Sequence, residues 1–276
     1  MAKKDSTPAA WHPDPFGRFE SRYWDGTAWT AHVSTGGTTS TDEPVPGPVI
    51  PKVKRSAEKV RRDVAKAGAQ GKAAPGGGTV FTEPILVVNQ KAKVFELASE
   101  FAVFDQDAKQ IAAVRQVGQS TAKKVFRALT SYDQFMTHRF EIVDMEGNVL
   151  LKLTRPAKFV KSKVVVENGD GQEIGRIVQQ NAIGKIRFSL EAGGQSLGSI
   201  NAENWRAWNF NIQDQAGTEV ARITKTWEGL AKTMFTTADN YVLQIHAPVE
   251  EPLRSMVVAA ARGVDTALKQ DARGFG

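Results

Sequence analysis

The strongest chemical signal in the sequence is a run of positive charge between Lys52 and Lys72. This segment holds eight basic and two acidic residues, so its net charge is +6, and the rest of the 276-residue chain is neutral overall. Ammonium and guanidinium groups attract anionic partners, and each one close to an anionic membrane contributes about 1 kcal/mol of binding free energy. The basic residues that we expect to contact lipid are Lys52, Lys54, Arg55, Lys59, Arg61, Arg62 and Lys66.

The spacing of small apolar residues in this segment predicts a basic amphipathic helix. Val53, Ala57, Val60, Val64 and Ala67 recur three and four positions apart and would form one narrow stripe. Three interpretations stay open: attachment to an anionic membrane face, a solvated and partly disordered linker, and a nucleic-acid-binding arm. Nucleic acid is disfavoured because the segment has no interleaved aromatic residues on which bases could stack.

Residue types that are typical of catalytic and metal sites occur, but they are not grouped. The four histidines, His12, His32, His138 and His246, are far apart and have no metal-ligand spacing. The sequence has no glycine-rich phosphate loop and no nucleophile elbow, and its acidic residues fall mainly in predicted turns and exposed strand positions. We therefore expect a protein that is not an enzyme and that carries no metal or other cofactor.

Composition limits the cellular context. Hydrophobic residues make up 41% of the chain, which suits a buried core, and there is no cysteine, which excludes disulfides, thiolate metal sites and palmitoylation. The N-terminus lacks the apolar core of a signal peptide. We expect a cytoplasmic protein that is peripheral to the inner face of the plasma membrane.

Residues 9–33 are predicted to form a small β module rich in tryptophan, with a hairpin turn at Asp25-Gly26. Because so short a unit buries little surface, we expect Trp11, Trp24 and Trp29 to be its core; an exposed aromatic platform is the alternative. The pattern W-x-P-D-P-x-G followed by R-Y-W-D-G-x-x-W-T closely resembles a short module of unknown function found at the ends of actinobacterial proteins. Residues 34–80 are interpreted as a Pro- and Gly-rich linker that contains the basic segment 52–72.

Residues 81–270 are predicted to be mainly β-structure, with one short helix over 120–130. Four strand–turn–strand units recur, and their turn glycines are Gly147, Gly171, Gly194 and Gly217. A meander of about twelve strands has exposed edges unless it closes, so we predict a closed antiparallel barrel.

Residues 252–269 are predicted to form a helix that is apolar on nearly all sides. Its longest uncharged run, 255–261, is far shorter than the roughly 20 residues that a membrane span needs. We therefore expect this helix to be enclosed by the barrel rather than to cross a bilayer.

Residues 223–241, which read ITKTWEGLAKTMFTTADNY, closely resemble the corresponding stretch of the phospholipid scramblase family. The matching residues are Ile223, Lys225, Trp227, Gly229, Phe235, Thr236, Ala238, Asp239, Asn240 and Tyr241. Val88-Asn89-Gln90 and Leu153-Thr154-Arg155-Pro156 also agree, so the resemblance covers residues 80–270.

The resemblance implies the Tubby-like fold, a closed barrel of twelve strands around a central hydrophobic helix, and membrane phospholipids as the partner. Family members are described as moving phospholipids between leaflets in response to calcium, or as lipid-associated regulators. This chain departs from the family's acidic calcium loop, because Thr237 stands at the first acidic position and only Asp239 and Asn240 remain. Calcium takes about six or more oxygen ligands, so we expect no tight calcium site. Lys225 is a candidate contact for a lipid phosphate.

Two functional hypotheses follow. The first is a membrane-peripheral protein that binds an anionic phospholipid surface, with phospholipid scrambling between leaflets as its fullest form. The second is a non-transporting regulatory protein that uses the barrel to dock lipid or protein and the tryptophan module to bind a protein partner.

Overall fold

The computed structural model describes residues 8–14, 19–42, 50, 52–69, 76–90, 101–117, 137–157, 161–181, 184–204, 209–226 and 240–271. They belong to two compact units, a small one of Met1–Pro51 with Glu146–Asn148 and a large one of Lys52–Met145 with Val149–Gly276. The predicted helix at 120–130 lies outside the described residues, as do Lys72 and the motif residues Trp227, Gly229, Phe235 and Asp239.

The small unit is a four-stranded antiparallel sheet in chain order. Its strands are β1 (Ala10–Pro13), β2 (Ser21–Trp24), β3 (Trp29–Thr35) and β4 (Thr38–Thr41). The Asp25 carboxylate holds the β2–β3 turn by accepting hydrogen bonds from the backbone N–H groups of Thr27 and Ala28, both at 2.7 Å. Because β4 pairs with β3, the module extends past its predicted end at residue 33.

The buried centre of this sheet is an ion pair, which corrects the prediction of a tryptophan core. The side chains of Arg22 and Asp14 are inaccessible to solvent, with 2.8 Å between Nε and Oδ1, and Asp42 also binds the guanidinium. Burial opposes the charge of Arg22, but the hydrogen bonds and charges of Asp14 and Asp42 outweigh that effect and raise its pKa.

The aromatic side chains of the small unit pack in pairs at the surface instead. Trp11 is 44% exposed and meets the ring of Tyr23 edge to face, with 5.5 Å between centroids. Trp24 and Trp29 are half-buried and form a second pair at 5.2 Å. Both pairs are direct cross-strand partners, so each pair covers a sheet face and leaves the centre to Arg22.

In the large unit, twelve antiparallel strands close into a barrel, which confirms the predicted fold class. The order around the barrel is β10–β11–β12–β13–β14–β15–β16–β5–β6–β7–β8–β9. Closure is completed by the pairing of β9 with β10. The strands are β5 (Ile85–Gln90), β6 (Phe101–Phe104), β7 (Gln110–Val117), β8 (His138–Asp144), β9 (Val149–Arg155), β10 (Lys163–Asn168), β11 (Glu173–Gln179), β12 (Arg187–Ala192), β13 (Gln195–Ala202), β14 (Asn209–Asp214), β15 (Glu219–Thr226) and β16 (Asn240–Ile245).

The four predicted repeats are hairpins of this barrel. They are β8–β9, β10–β11, β12–β13 and β14–β15. Gly147, Gly171, Gly194 and Gly217 take positive φ angles of 93°, 86°, 79° and 79° in their turns. This left-handed backbone conformation is open to glycine at little steric cost, which explains the regular spacing of glycine in the sequence.

The C-terminal helix, which we number α2 (Leu253–Asp271), is enclosed by the barrel over its first half, as predicted. Met256 and Val257 are fully buried and belong to the same core cluster as Leu153 and Ile177 of the barrel wall. Side chains on every side of the helix are covered from Ser255 to Gly263. The apolar character all round the helix therefore reflects contact with strands on all sides.

A shorter helix, α1 (Ala57–Lys66), lies on the outside of the barrel. The Ser56 hydroxyl caps its N-terminus by accepting a hydrogen bond from the backbone N–H of Lys59 at 3.3 Å. Val60 and Val64 are buried against the outward side of β5, β6 and β16. The basic amphipathic helix predicted within residues 52–72 is thus present at 57–66. Its apolar stripe packs on the barrel, a contact that the linker interpretation did not include.

Candidate functional site

The basic segment is held on the barrel by polar contacts as well as by its apolar stripe. The Gln244 amide on β16 donates a hydrogen bond of 2.9 Å to the carbonyl oxygen of Ala67, just after α1. Before α1, the backbone N–H of Val53 donates to Oε1 of Gln110 at 2.7 Å. Both ends of the segment are therefore tied to barrel strands, which fixes the orientation of the helix.

Asp63 and Arg55 form an ion pair beneath α1. The Arg55 guanidinium donates to Asp63 Oδ2, and the two side chains are 5% and 0% exposed. A buried carboxylate needs such a partner, because removing an ion from water is costly. This contact explains why an acidic residue occurs in the segment. Because the Arg55 side chain is buried in this pair, it is not available to contact lipid as predicted.

The side of α1 that faces away from the barrel is strongly basic. Seven predicted lipid-binding residues lie in this segment, and all except Arg55 are exposed. Glu58 is the acidic residue that shares this exposed side. We define the basic face as the exposed set Lys52, Lys54, Lys59, Arg61, Arg62 and Lys66.

Lys225, the remaining predicted lipid contact, is not part of the basic face. It lies on β15 two positions after Ile223, whose side chain is 1% exposed in the barrel core, so both project inward. Its Nζ atom is 5.9 Å from the ring centroid of Tyr241, its cross-strand partner on β16. Asn240, another motif residue, is also buried. The motif residues that the structure describes therefore build the barrel wall.

One end of the barrel interior is polar, which sequence reasoning did not anticipate. Arg262 on α2 lies between the rings of Phe101 and Phe140, with 4.3 and 4.4 Å from its guanidinium carbon to their centroids. His138 is buried, and its ring stacks on that of Phe140. The distance between Nδ1 of His138 and Nε2 of Gln116 is 3.0 Å. The signal was available in the alternation of β8, where His138 precedes Phe140 and Ile142 on the inward side.

In the described ranges, no group of three or more His, Asp or Glu residues is arranged to hold a metal ion. His246 pairs with Glu219 at 3.3 Å on the barrel exterior, while His138 is inside the barrel. Asp239, which the sequence comparison placed in the calcium loop, lies outside the described residues. The absence of calcium binding thus stays a prediction.

Among the helices of the described part, none combines the length and the hydropathy that a membrane span requires.

A closed twelve-stranded antiparallel barrel around a buried C-terminal helix is the Tubby-like architecture that the sequence resemblance implies. Comparison with family models gives a match to the family described as Scramblase over residues 79–268, which is more than half of the chain. The chain therefore belongs to the scramblase family. A second family, described as a protein of unknown function (DUF2510), matches residues 9–46 and so includes all four strands of the small unit.

Two known proteins are similar to this chain. Altered inheritance rate of mitochondria protein 25 of Saccharomyces cerevisiae (strain ATCC 204508 / S288c) is 24% identical over 200 residues, which are 60% of this chain and 59% of the yeast protein. The chain thus matches less than two thirds of that relative's length. The X-ray structure of a protein from Arabidopsis thaliana aligns with 46% of this chain and 85% of its own, at 16% identity and a TM-score of 0.28.

Proposed function

We propose that this protein is a peripheral membrane protein that binds anionic phospholipid surfaces through the basic face of α1. Family membership supports a function related to phospholipids. The observation that carries the proposal is the orientation of α1, whose apolar stripe packs on the barrel while its lysines and arginines face solvent. A helix docked in this way presents only its charged side to a membrane. Its apolar residues are already buried against the barrel, so they do not insert into the bilayer.

The size of the basic face fits reversible attachment. Six cations at about 1 kcal/mol each give roughly 6 kcal/mol, before the unfavourable entropy of association and the repulsion from Glu58 are counted. Such binding is electrostatic, so it weakens as salt shortens the Debye length to about 8 Å at physiological ionic strength. We propose attachment at the cytoplasmic side of the plasma membrane, with no catalytic step and no cofactor.

Scrambling of phospholipids between leaflets is the second candidate, and membership of the scramblase family favours it. It would need a polar path for a headgroup through the hydrocarbon. The helix that would be the natural membrane-inserting element has residues 255–263 buried in the barrel. These contacts support a docking role for the barrel in preference to transport.

The two candidates are separated by reconstituting the full chain with vesicles of phosphatidylcholine and phosphatidylserine. Peripheral binding predicts that carbonate or high salt releases the protein and that a labelled phospholipid does not exchange between leaflets, with or without calcium. Exchange together with carbonate resistance would instead assign the protein to the scrambling function.

A further inference from the structure

One side of the sheet in the small unit is open to solvent. Arg22 and Val33 are cross-strand partners and are fully buried, so the side of the sheet to which they point is closed. Successive residues of a strand point to opposite sides, so Tyr23 on β2 and Ser34 on β3 belong to the other side. We call this side the open face and define it by Trp11, Tyr23, His32, Ser34, Thr39 and Thr41.

An aromatic pair occupies one half of the open face. Trp11 on β1 and Tyr23 on β2 are cross-strand partners, and their rings are inclined at 65° with 5.5 Å between centroids. Trp11 is 44% exposed, and in the described part of the chain it is the exposed large hydrophobic side chain. Two rings inclined in this way form an apolar corner against which a small aliphatic ring can pack.

The polar groups of the open face are available to a ligand. Within the described ranges, neither the indole N–H of Trp11 nor the hydroxyl of Tyr23 has a hydrogen-bond partner in the protein. His32, Thr39 and Thr41 add exposed ring nitrogens and hydroxyls on β3 and β4. None of the residues that define the open face is a lysine, an arginine or an acid, so the face favours an uncharged ligand.

These features match a peptide in the polyproline II conformation. Such a chain makes no internal hydrogen bonds, so its carbonyl oxygens can accept them from the surface that it meets. Its proline rings dock in grooves lined by aromatic side chains. The sheet measures about 14 Å from β1 to β4, at roughly 4.8 Å between neighbouring strands. At about 3.1 Å per residue, a polyproline II chain of about five residues covers this distance.

We propose that the open face binds a proline-rich segment of a partner protein, with a proline ring packed against Trp11 and Tyr23. The indole and hydroxyl groups would donate hydrogen bonds to the carbonyl oxygens of that segment. The lack of charged side chains on the open face distinguishes this ligand from the anionic surface that we propose for α1. The inference therefore concerns a second binding site, and it does not depend on the proposed function.

The proline segment of this chain itself, EPVPGPVIP at residues 43–51, is a poorer fit. Pro44, Pro46 and Pro48 are two positions apart, whereas polyproline II repeats every three residues, so these prolines do not fall on one side of the chain. Pro48 and Pro51 have the three-residue spacing, but Ile50 between them is already buried. A partner protein is for this reason the occupant that we propose.

The direct test adds the full chain to a fluorescein-labelled oligoproline of about eight residues and measures the fluorescence anisotropy. We expect saturable binding of the oligoproline. A Gly-Ser peptide of the same length is uncharged but flexible, and it should not bind. Trp11→Ala should weaken oligoproline binding about tenfold or more, because aromatic side chains at the centre of an interface contribute most of its binding free energy.

Tyr23→Phe tests the hydroxyl separately, because it keeps the ring that packs on Trp11. We expect binding to weaken about threefold to tenfold, which is the effect of one neutral hydrogen bond. Ser40→Ala is the matched control, since it also removes one hydroxyl, from an exposed residue on the closed side of β4, and it should leave binding unchanged. The indole NMR signals of Trp24 and Trp29 should be the same in the three variants, which would show that the small unit stays folded.

Three results would overturn the proposal. The first is no saturable binding of oligoproline, or equal effects of Tyr23→Phe and Ser40→Ala. The second is equally tight binding of a 43–51 peptide, with self-association of the full chain that Trp11→Ala abolishes, which would assign the open face to a second copy of the chain. The third is binding to phosphatidylcholine vesicles that Trp11→Ala abolishes, which would assign the open face to a membrane. Because the titration contains no lipid, its result is independent of whether the basic face binds a membrane.

Discussion

The side chain of Gln244 donates a hydrogen bond of 2.9 Å to the carbonyl oxygen of Ala67, which lies 177 positions earlier in the chain. Both residues are buried. The contact joins β16, a strand of the barrel wall, to the end of α1. It makes the basic helix a fixed part of the large unit, and the proposed membrane contact depends on this fixed orientation.

Docking of α1 is tested by placing a charge on each of its two sides. Val60 is 0% exposed in the contact with the barrel, whereas Ala65 is exposed. We expect Val60→Asp to release the helix, because an unpaired carboxylate cannot be buried there without a large free-energy cost. Hydrogen exchange should then lose protection over 57–66 while the barrel strands keep theirs. Ala65→Asp introduces the same charge on the solvent side and should preserve protection; equal loss in both variants would argue against docking.

The ion pair between Arg55 and Asp63 beneath α1 should contribute to the free energy of unfolding only when both residues are present. Asp63→Ala leaves Arg55 buried without this carboxylate, and we expect the free energy of unfolding to fall by about 3 kcal/mol. Replacing both residues, in Arg55→Leu with Asp63→Ala, should be less damaging than the sum of the single changes. Denaturant unfolding of the four proteins in this cycle measures the coupling. Additive effects would mean that the pair does not interact energetically.

Enclosure of α2 is tested by overpacking. Ala260 is fully buried on the helix, so Ala260→Leu should lower the free energy of unfolding by about 1–3 kcal/mol. Ala65→Leu, on the exposed side of α1, makes the same substitution where space is available and should have little effect. If α2 instead left the barrel to enter a bilayer, Ala260→Leu would be tolerated and would strengthen carbonate-resistant association with vesicles.

The small unit should lose stability in acid through Asp25. The hydrogen bond from the Ala28 backbone N–H, followed by those from Thr27, lowers the pKa of this carboxyl below its ordinary value of 3.8. A lowered folded-state pKa gives stability that is present above pH 3.8 and is lost as the pH falls through the folded-state pKa. Below pH 3.8, we expect the unfolding temperature of Asp25→Asn to depend less on pH than the unfolding temperature of the wild type does. Indole NMR signals of Trp24 and Trp29 report this transition, and parallel pH profiles for the two proteins would contradict it.

Much of the barrel was predictable because it is encoded locally. Turn glycines at regular spacing mark the hairpins, and the apolar character of residues 255–261 on every side indicates an enclosed helix. The docking of α1 was missed, although β6 carried a signal: Phe101, Ala102, Val103 and Phe104 are all buried. A strand without polar alternation is buried on both faces. The outer face of β6 is buried by α1.

Other features depend on contacts between distant residues and were not predictable. The pairing of Arg22 with Asp14 and Asp42 requires the three-dimensional path of the small sheet. Likewise, Arg187, Asn201 and Asn211 form one row only because of the strand register. Hydrophobic periodicity gives the inward and outward sides of each strand, but it does not give the register between strands.

The central claim is that the basic face of α1 attaches the protein to anionic phospholipid. It is tested most directly by co-sedimentation of the full chain with phosphatidylserine-containing vesicles, comparing the wild type with the triple variant Lys59→Gln, Arg61→Gln, Arg62→Gln. The matched control removes three exposed charges elsewhere on the barrel, Arg139→Gln, Arg176→Gln and Lys185→Gln.

At about 1 kcal/mol for each removed charge, we expect the α1 variant to bind about a hundredfold more weakly and with a smaller salt dependence. The control should bind nearly as the wild type does, and vesicles of phosphatidylcholine alone should bind none of the three proteins. Equal binding by the α1 variant and the control would contradict attachment through the basic face.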